Sequence, residues 1–281
     1  MPSPDFPGRR SVLSVPADDA RKIGKALAAG ADEVVVDLED AVAVADKDHA
    51  RVLLANFAWP EERPSLAVRV NGVGTPWFEA DVRAAAQAGA DSIVLPKAET
   101  RADVARVESL LAGSDREIVV QALIETAAGL AGLADVVRAP ERLSCLIVGY
   151  ADLAASRGRG RVAPGRWVVA QELVLLHARA AGLLAVDGPY LGVTDDEVFR
   201  DAVQEVANAG FDAKWVIHPR QVATINAAFG PTDAAVAHAR RVLEALADAA
   251  SVGRGAVQLD GQLLDEAMAV HARRVLAKAG R

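Results

Sequence analysis

A single cysteine, Cys145, stands in 281 residues, inside the apolar run LSCLIVG. That count excludes a disulfide framework and a cysteine-held zinc site. With no histidine close to it in sequence, the thiol is expected to be a plain core residue. Aromatic residues are also scarce, 4% of a chain that is 52% hydrophobic, so the core must be packed mainly by Ala, Val and Leu. Positive charge is in deficit: 31 Lys and Arg face 38 Asp and Glu, a formal net charge of −7. Such a balance offers no sequence-independent attraction to nucleic acid or an anionic membrane, which favours a small-molecule partner. No stretch approaches the roughly 20 uninterrupted apolar residues of a membrane span. The opening MPSPDFPGRR lacks the apolar region of a secretory signal, and a cytoplasmic protein is expected.

What is present is a repeated alternation. Short apolar runs recur at intervals of roughly 22 to 40 residues, each followed by a longer Ala-rich stretch with helical spacing. They begin near Ser11, Glu33, Leu66, Ser92, Ile118, Leu143, Leu183 and Lys214, which predicts eight strands. A phrase repeats at the seams: Ala29-Gly30-Ala31-Asp32 and Ala88-Gly89-Ala90-Asp91 both close a helical stretch before a strand, and Gly182 and Gly210 hold comparable places. Glycine there is the expected left-handed helix stop. Strand–helix alternation without flexible linkers predicts parallel βαβ units in one body. Eight units predict an α/β fold closed into a (β/α)₈ TIM barrel over residues 1–230, with an open doubly wound sheet as the alternative. Against the latter, the first strand–helix turn carries no G-x-G-x-x-G, and no P-loop occurs. Residues 231–281 read as a C-terminal helical extension: a helix from Pro231 to Ala250, a Gly-punctuated extended segment (SVGRGAVQLDGQ) and a last helix to about Ala279. The extension is expected to pack on the barrel or on a neighbouring subunit.

In parallel barrels the reactive groups project from the C-terminal strand ends. Here those ends carry Asp37-Leu38-Glu39-Asp40, Arg69 with Asn71, Pro96-Lys97, Glu125-Thr126, Gly149-Tyr150-Ala151-Asp152, Asp187 and His218-Pro219. Glu125 and Asp152 fall on adjacent strand ends, about 4.8 Å apart, and can converge on one hard cation. Magnesium suits this arrangement, because it takes few protein carboxylates and leaves positions for water and substrate oxygens. Taken singly, Asp152 could be a helix cap and Glu125 a first-turn charge. Arg69 lies in LAVRV, where period-two alternation sets it on the face opposite Val68 and Val70. A guanidinium inside a barrel must be paired, and the Asp37 to Asp40 run on the preceding strand is the natural partner. Its fork is read as a holder of substrate carboxylate or enolate oxygen, with Lys97 and Glu125 as further substrate-binding groups. His218 is either a base or a hydrogen-bonded structural residue. The loop Arg157-Gly158-Arg159-Gly160-Arg161 is a solvated basic segment or a phosphate holder, and the remaining histidines are expected on helix surfaces.

Taken in order, RRSVLSVPA, VVVDLEDAV with Lys47 and Arg51 after it, VRVN, VLPKAET, ALIETAAGL, Gly149-x-x-Asp152-Leu153, GFDAKWVIHPRQV and the late DGQLLD resemble the HpcH/HpaI aldolase/citrate lyase family. The resemblance covers nearly the whole chain and is strongest to the citrate lyase β-like, CoA-ester lyase branch. It implies a barrel of the phosphoenolpyruvate/pyruvate type, in a homotrimer or hexamer, with Mg²⁺ held by Glu125 and Asp152. It further implies that Arg69 binds the oxo-acid or enolate oxygens, and that Asp37, Glu39 and Asp40 form the acidic wall orienting that arginine and metal-bound water. Asp265 would be an acid/base aspartate from the C-terminal segment. The implied reaction is cleavage or formation of a 3-hydroxyacyl-CoA, such as malyl-, citramalyl- or citryl-CoA, to an acyl-CoA and a 2-oxo acid. The alternatives are a CoA-independent metal-dependent 2-oxo-acid aldolase, a citrate lyase β-like subunit working on a carrier-protein thioester, and a non-catalytic barrel. Asp40 stands where the CoA-free branch has histidine, which favours the thioester reading. The sequence departs from the family pattern at Ser14, Ala213, Glu266 and in the basic stretch after Asp152.

Overall fold

Short aliphatic strands satisfy their backbone groups only by lateral pairing, and in the computed structural model eight of them do so in one closed ring. The structure describes residues 8–114, 116–139, 141–159 and 167–279. The ring is β1 (Ser11–Pro16), β2 (Glu33–Asp37), β3 (Ser65–Arg69), β4 (Ser92–Leu95), β5 (Val119–Ile124), β6 (Leu143–Val148), β7 (Leu184–Asp187) and β8 (Ala213–Val216). Each strand runs parallel to its neighbours, and β8 returns to β1. All eight strands read from the apolar runs are present, and closure excludes the open sheet. Gly30 and Gly89 have φ of 76° and 72°, the left-handed stop that the repeated phrase predicts. Contacts divide the chain into two units, one over Arg9–Asn226 and one from Ala227 onward.

Strand alternation sorts the barrel interior into layers. The middle layer is apolar: Val12, Val35, Ala67, Val94, Leu123, Cys145, Ile147, Val186 and Trp215 pack as one buried cluster. Cys145 is fully buried there, and burial pushes its thiol up to about 12, which fits the core role expected of it. Two residues before Val35, at the N-terminal strand ends, the interior is polar instead. Glu33, 0% exposed, accepts hydrogen bonds from Arg9 Nη1 at 2.7 Å and from Gln121 Nε2 at 2.9 Å, and Gln121 also donates to Ser92 Oγ at 2.8 Å. Two residues beyond Val35 lies Asp37, and with it the charged upper layer.

The second unit has its own small core. The helix Asp233–Ser251 packs with the helix Glu266–Ala279 around Ala239, Val242, Leu264 and Ala272. Between them the segment read as merely extended is a β-hairpin, β9 (Val257–Leu259) against β10 (Gln262–Leu264), antiparallel. Its two-residue turn is Asp260-Gly261, both with positive φ (51° and 83°), the geometry that favours Asp-Gly in a tight hairpin. Among the described residues no helix is long and apolar enough to cross a membrane.

Removing one partner of a buried ion pair leaves the other charge stranded. Glu33→Ala is therefore expected to lower unfolding free energy by about 3–5 kcal/mol, measured by urea denaturation. A loss below about 1 kcal/mol, the size typical of an exposed ion pair, would show that the polar floor is dispensable.

Candidate active site

Parallel pairing sets Asp37 and Arg69 opposite one another as register partners on β2 and β3. From there Arg69 Nε donates to Asp37 Oδ1 at 2.8 Å, and Nη2 donates to Asp37 Oδ2, a two-point grip that fixes the plane of the guanidinium. Glu39 Oε2 lies 3.1 Å from Arg69 Nη1 but without hydrogen-bond alignment, so it contributes charge more than direction. Lys97, after β4, donates its ammonium to Glu39 Oε1 and stands 3.6 Å from Asp152 Oδ2. Its backbone adopts φ 51°, uncommon outside glycine, and its N–H donates to Glu125 Oε1 at 3.0 Å. Glu125 follows β5, and Asp152 lies in the first turn of the helix Tyr150–Ser156 after β6. Gly149 makes the space between them: a Cβ there would sit 2.5 Å from Glu125 Cβ and 2.6 Å from its Oε2. The result is a cavity of about 370 Å³ walled by Asp37, Asp40, Arg69, Glu125 and Asp152, with Trp215 at its side.

Four carboxylates, those of Asp37, Glu39, Glu125 and Asp152, meet two cations, Arg69 and Lys97. Fully ionised they would carry two more negative charges than positive, and with Glu125 near neutral the surplus is one. Burial opposes the charge on Arg69, but Asp37 and Glu39 outweigh it and raise its pKa, so the guanidinium stays charged. Lys97 is raised for the same reason, Glu39 and Glu125 overcoming its desolvation. Glu125, only 3% exposed, is pushed up to about 8, first by burial and then by the charges of Glu39 and Asp152. Glu39 is raised by burial, with Arg69 and Lys97 pulling the other way. A pocket with surplus negative charge, one carboxyl held near neutrality and a rigid guanidinium suits an acidic substrate accompanied by a cation.

The structure therefore brings together Asp37, Glu39, Arg69, Lys97, Glu125 and Asp152. Asp40 is exposed on the rim of the same cavity, and it is Asp37 and Glu39 that touch Arg69. Asp265 belongs to the second unit, where its Oδ1 accepts from Ala267 N at 2.9 Å at the start of the last helix. His218 caps a short turn, its Nδ1 accepting from Arg220 N at 3.2 Å. In the basic loop Arg159 stacks on Trp167 at 4.9 Å, while Gly160 and Arg161 lie outside the described residues. The strand-end acid Asp187 turns away from the mouth. Val186 takes the inward place, and Asp187 accepts from Tyr150 Oη and from Lys214 Nζ on the outside of the ring. That network floors a larger cavity of about 610 Å³ bordered by the helices Val168–Ala180 and Glu197–Ala209, but Lys214 is already neutralised there by Asp187. Sequence reasoning named Asn71 at a strand end and Lys47 after the acidic run without giving either a role, and it did not single out Asp81. The spacing DLED-x₆-K marks no known ligand set by itself.

A family model described as HpcH/HpaI aldolase/citrate lyase matches residues 10–219. The chain is 38% identical to the (3S)-malyl-CoA thioesterase of Cereibacter sphaeroides, over 96% of this chain and 94% of that protein. It is 34% identical to an L-malyl-CoA/beta-methylmalyl-CoA lyase of Cereibacter sphaeroides, over 99% and 97%. Among solved structures, protein CitE from Mycobacterium tuberculosis in complex with magnesium, acetoacetate and coenzyme A superimposes with a TM-score of 0.80 at 33% identity, covering 98% of this chain and 99% of that one.

A carboxyl at about 8 in the folded protein and about 4.3 when unfolded binds an extra proton in the folded state between those values. Stability from this group is complete below the lower value and declines as pH rises through the upper one. In metal-free buffer, Glu125→Gln is thus expected to match the parent near pH 4.5 and to exceed it by a few kcal/mol, order of magnitude, at pH 8.5. Parallel stability curves across that range, followed by chemical denaturation, would contradict the assignment.

Proposed function

This chain belongs to the HpcH/HpaI aldolase/citrate lyase family, and from that premise we propose a magnesium-dependent carbon–carbon lyase that cleaves or forms a 3-hydroxyacyl-CoA. Its products are an acyl-CoA and a 2-oxo acid, with malyl-, citramalyl- and citryl-CoA as the candidate substrates. The observation that carries the reading is the charge imbalance at the mouth: four carboxylates around two fixed cations, with the Arg69 fork locked by Asp37. Glu125 and Asp152 would hold the metal. The fit is supported by the surplus of carboxylates over cations and by the clearance that Gly149 leaves beside Glu125 Oε2. Among the described residues no group of three or more His, Cys, Asp or Glu is arranged to hold a metal, so water and substrate oxygens must complete the shell. When bound, magnesium supplies Lewis-acid polarisation of the 2-oxo-acid oxygens.

The chain's own groups do the rest. In the cleavage direction the substrate hydroxyl loses its proton, its C–O bond becomes the carbonyl of the 2-oxo acid, and the C2–C3 bond breaks toward the thioester. The thioester enolate then takes a proton at its α-carbon. Arg69 neutralises the negative oxygen and keeps the oxo-acid carboxylate in one plane, because Asp37 leaves it no freedom to rotate. Lys97 adds a second positive charge and, through its N–H, orients Glu125. Asp37 and Glu39 form the acidic wall behind Arg69, with Asp40 on the rim of the cavity. Asp265 is the proposed acid/base group, a role supported by its place in the family sequence pattern. In this reading residues 1–230 are the catalytic barrel and 231–281 its extension, working as a cytoplasmic homo-oligomer, trimer or hexamer, as the family resemblance implies.

The test is an assay of the purified protein with magnesium against malyl-, citramalyl-, methylmalyl- and citryl-CoA, detecting 2-oxo acid, acyl-CoA and free CoA thiol. One substrate is expected to be cleaved, with Glu125→Ala and EDTA each lowering kcat by about 10²-fold or more. Free thiol appearing with 2-oxo acid would add hydrolysis to the lyase step. Intact thioesters in the presence of bound magnesium would redirect the reading to carrier-protein thioesters or CoA-free aldol substrates.

A further inference from the structure

The turn that carries Glu39 leaves β2 at Asp37 and runs through residues 38–43 with no strand or helix to shape it. Its form is imposed from behind. Lys47 Nζ donates to two successive carbonyls, Leu38 O and Glu39 O, each at 2.7 Å. Two consecutive peptide oxygens converging on one point repel each other unless a cation stands between them, and Lys47, 5% exposed and 5.5 Å from the Trp77 ring centre, is that cation. Leu38 O also accepts from Asn71 Nδ2 at 2.9 Å. Asn71 is held in turn by Asp81, whose Oδ2 accepts from Asn71 N at 2.9 Å and from Nδ2 at 2.6 Å. Asp81 is fully buried on the helix Phe78–Gln87, and its second oxygen takes Arg51 Nη1 at 3.0 Å. On the other side of the turn, Glu39 N donates to Asp37 Oδ1 at 2.8 Å, the same oxygen that receives Arg69 Nε.

Lys47, Asn71 and Asp81 do not line the mouth cavity, yet every hydrogen bond they make toward the turn constrains where Glu39 starts. Burying an ammonium, an amide and a carboxylate together is costly unless their geometry is needed, and here it sets one carboxylate. We infer that Lys47, which shares Leu38 O with the Asn71–Asp81 pair, is a positioning residue for the reaction: it fixes the turn that carries Glu39, and with it the negative charge set against Arg69 and Lys97, in the arrangement that binds the 2-oxo acid. The inference rests on the lyase reading for its substrate, but the brace itself is independent of that reading.

Lys47→Met keeps the length of the side chain and removes its charge and donors. Three quantities are measured on parent and variant in the full-length protein: amide hydrogen exchange over residues 38–41, magnesium affinity by calorimetry, and the affinity of the magnesium-loaded protein for pyruvate as a simple 2-oxo acid. Exchange over 38–41 is expected to rise ~10-fold or more with β5 and β6 unchanged, pyruvate to bind ~10-fold more weakly, and magnesium affinity to stay within about twofold. A general loss of structure would lower magnesium and pyruvate affinity together, and that outcome overturns the positioning role, as does unchanged exchange with unchanged pyruvate affinity. Should Lys47→Met fail to fold, Asp81→Asn takes its place: the same pattern at about threefold or more is expected, and parental values in both readouts overturn the claim. A parent protein that binds magnesium but no pyruvate refutes the substrate reading instead. Exchange at 38–41 then decides the brace alone, raised exchange upholding it and unchanged exchange overturning it.

Discussion

A guanidinium enclosed near the top of a barrel has to be neutralised and aligned, and most of the upper layer follows from how this chain does so for Arg69. Asp37 supplies two parallel hydrogen bonds because β2 and β3 pair in register, so the alignment is a property of the fold and not of a loop. Glu39 adds charge from a turn that is itself pinned by Lys47 and Asn71. Burial, with the charges of Glu39 and Asp152 added to it, keeps the Glu125 carboxyl near neutrality at physiological pH. A mouth assembled in this way has a fixed positive fork on one side and an unfilled demand for positive charge on the other.

The barrel interior meets that demand with contrasting layers. The apolar middle cluster separates the charged mouth from the polar floor around Glu33, and the two polar layers solve different problems. In the floor, Arg9, Ser92 and Gln121 all donate to the one carboxylate of Glu33, whose charge is met by Arg9. In the mouth the carboxylates outnumber the cations, an arrangement that is unfavourable until something binds. The difference follows from position along the same strands: residues 33, 35 and 37 of β2 contribute one side chain to each layer.

Much of this was legible in the sequence because it depends on local period and on strand ends. The eight apolar runs, the left-handed glycines at 30 and 89, the inward Arg69 facing Asp37, and Glu125 and Asp152 on adjacent strand ends were all readable from spacing. What escaped depends on contacts between distant segments. Glu33 opens an apolar run, and nothing local in sequence pairs it with Gln121, 88 residues away. Lys47 follows the acidic run in the sequence pattern, but only the path of the turn before it turns its ammonium inward. Asp187 sits at a strand end like its neighbours, but β7 presents Val186 inward, so the acid faces Lys214 outside the ring. The Asp260-Gly261 pair was a local signal that was overlooked, because the segment's glycines suggested extended chain more strongly than a turn.

The central claim is that the mouth is built to hold one divalent cation and one 2-oxo acid side by side, with Arg69 on the acid. Crystals grown with magnesium and pyruvate test it most directly. A metal is expected between the carboxylates of Glu125 and Asp152, with the pyruvate oxygens shared between that metal and the Arg69 fork. Metal held elsewhere, or pyruvate bound out of reach of Arg69, would contradict it.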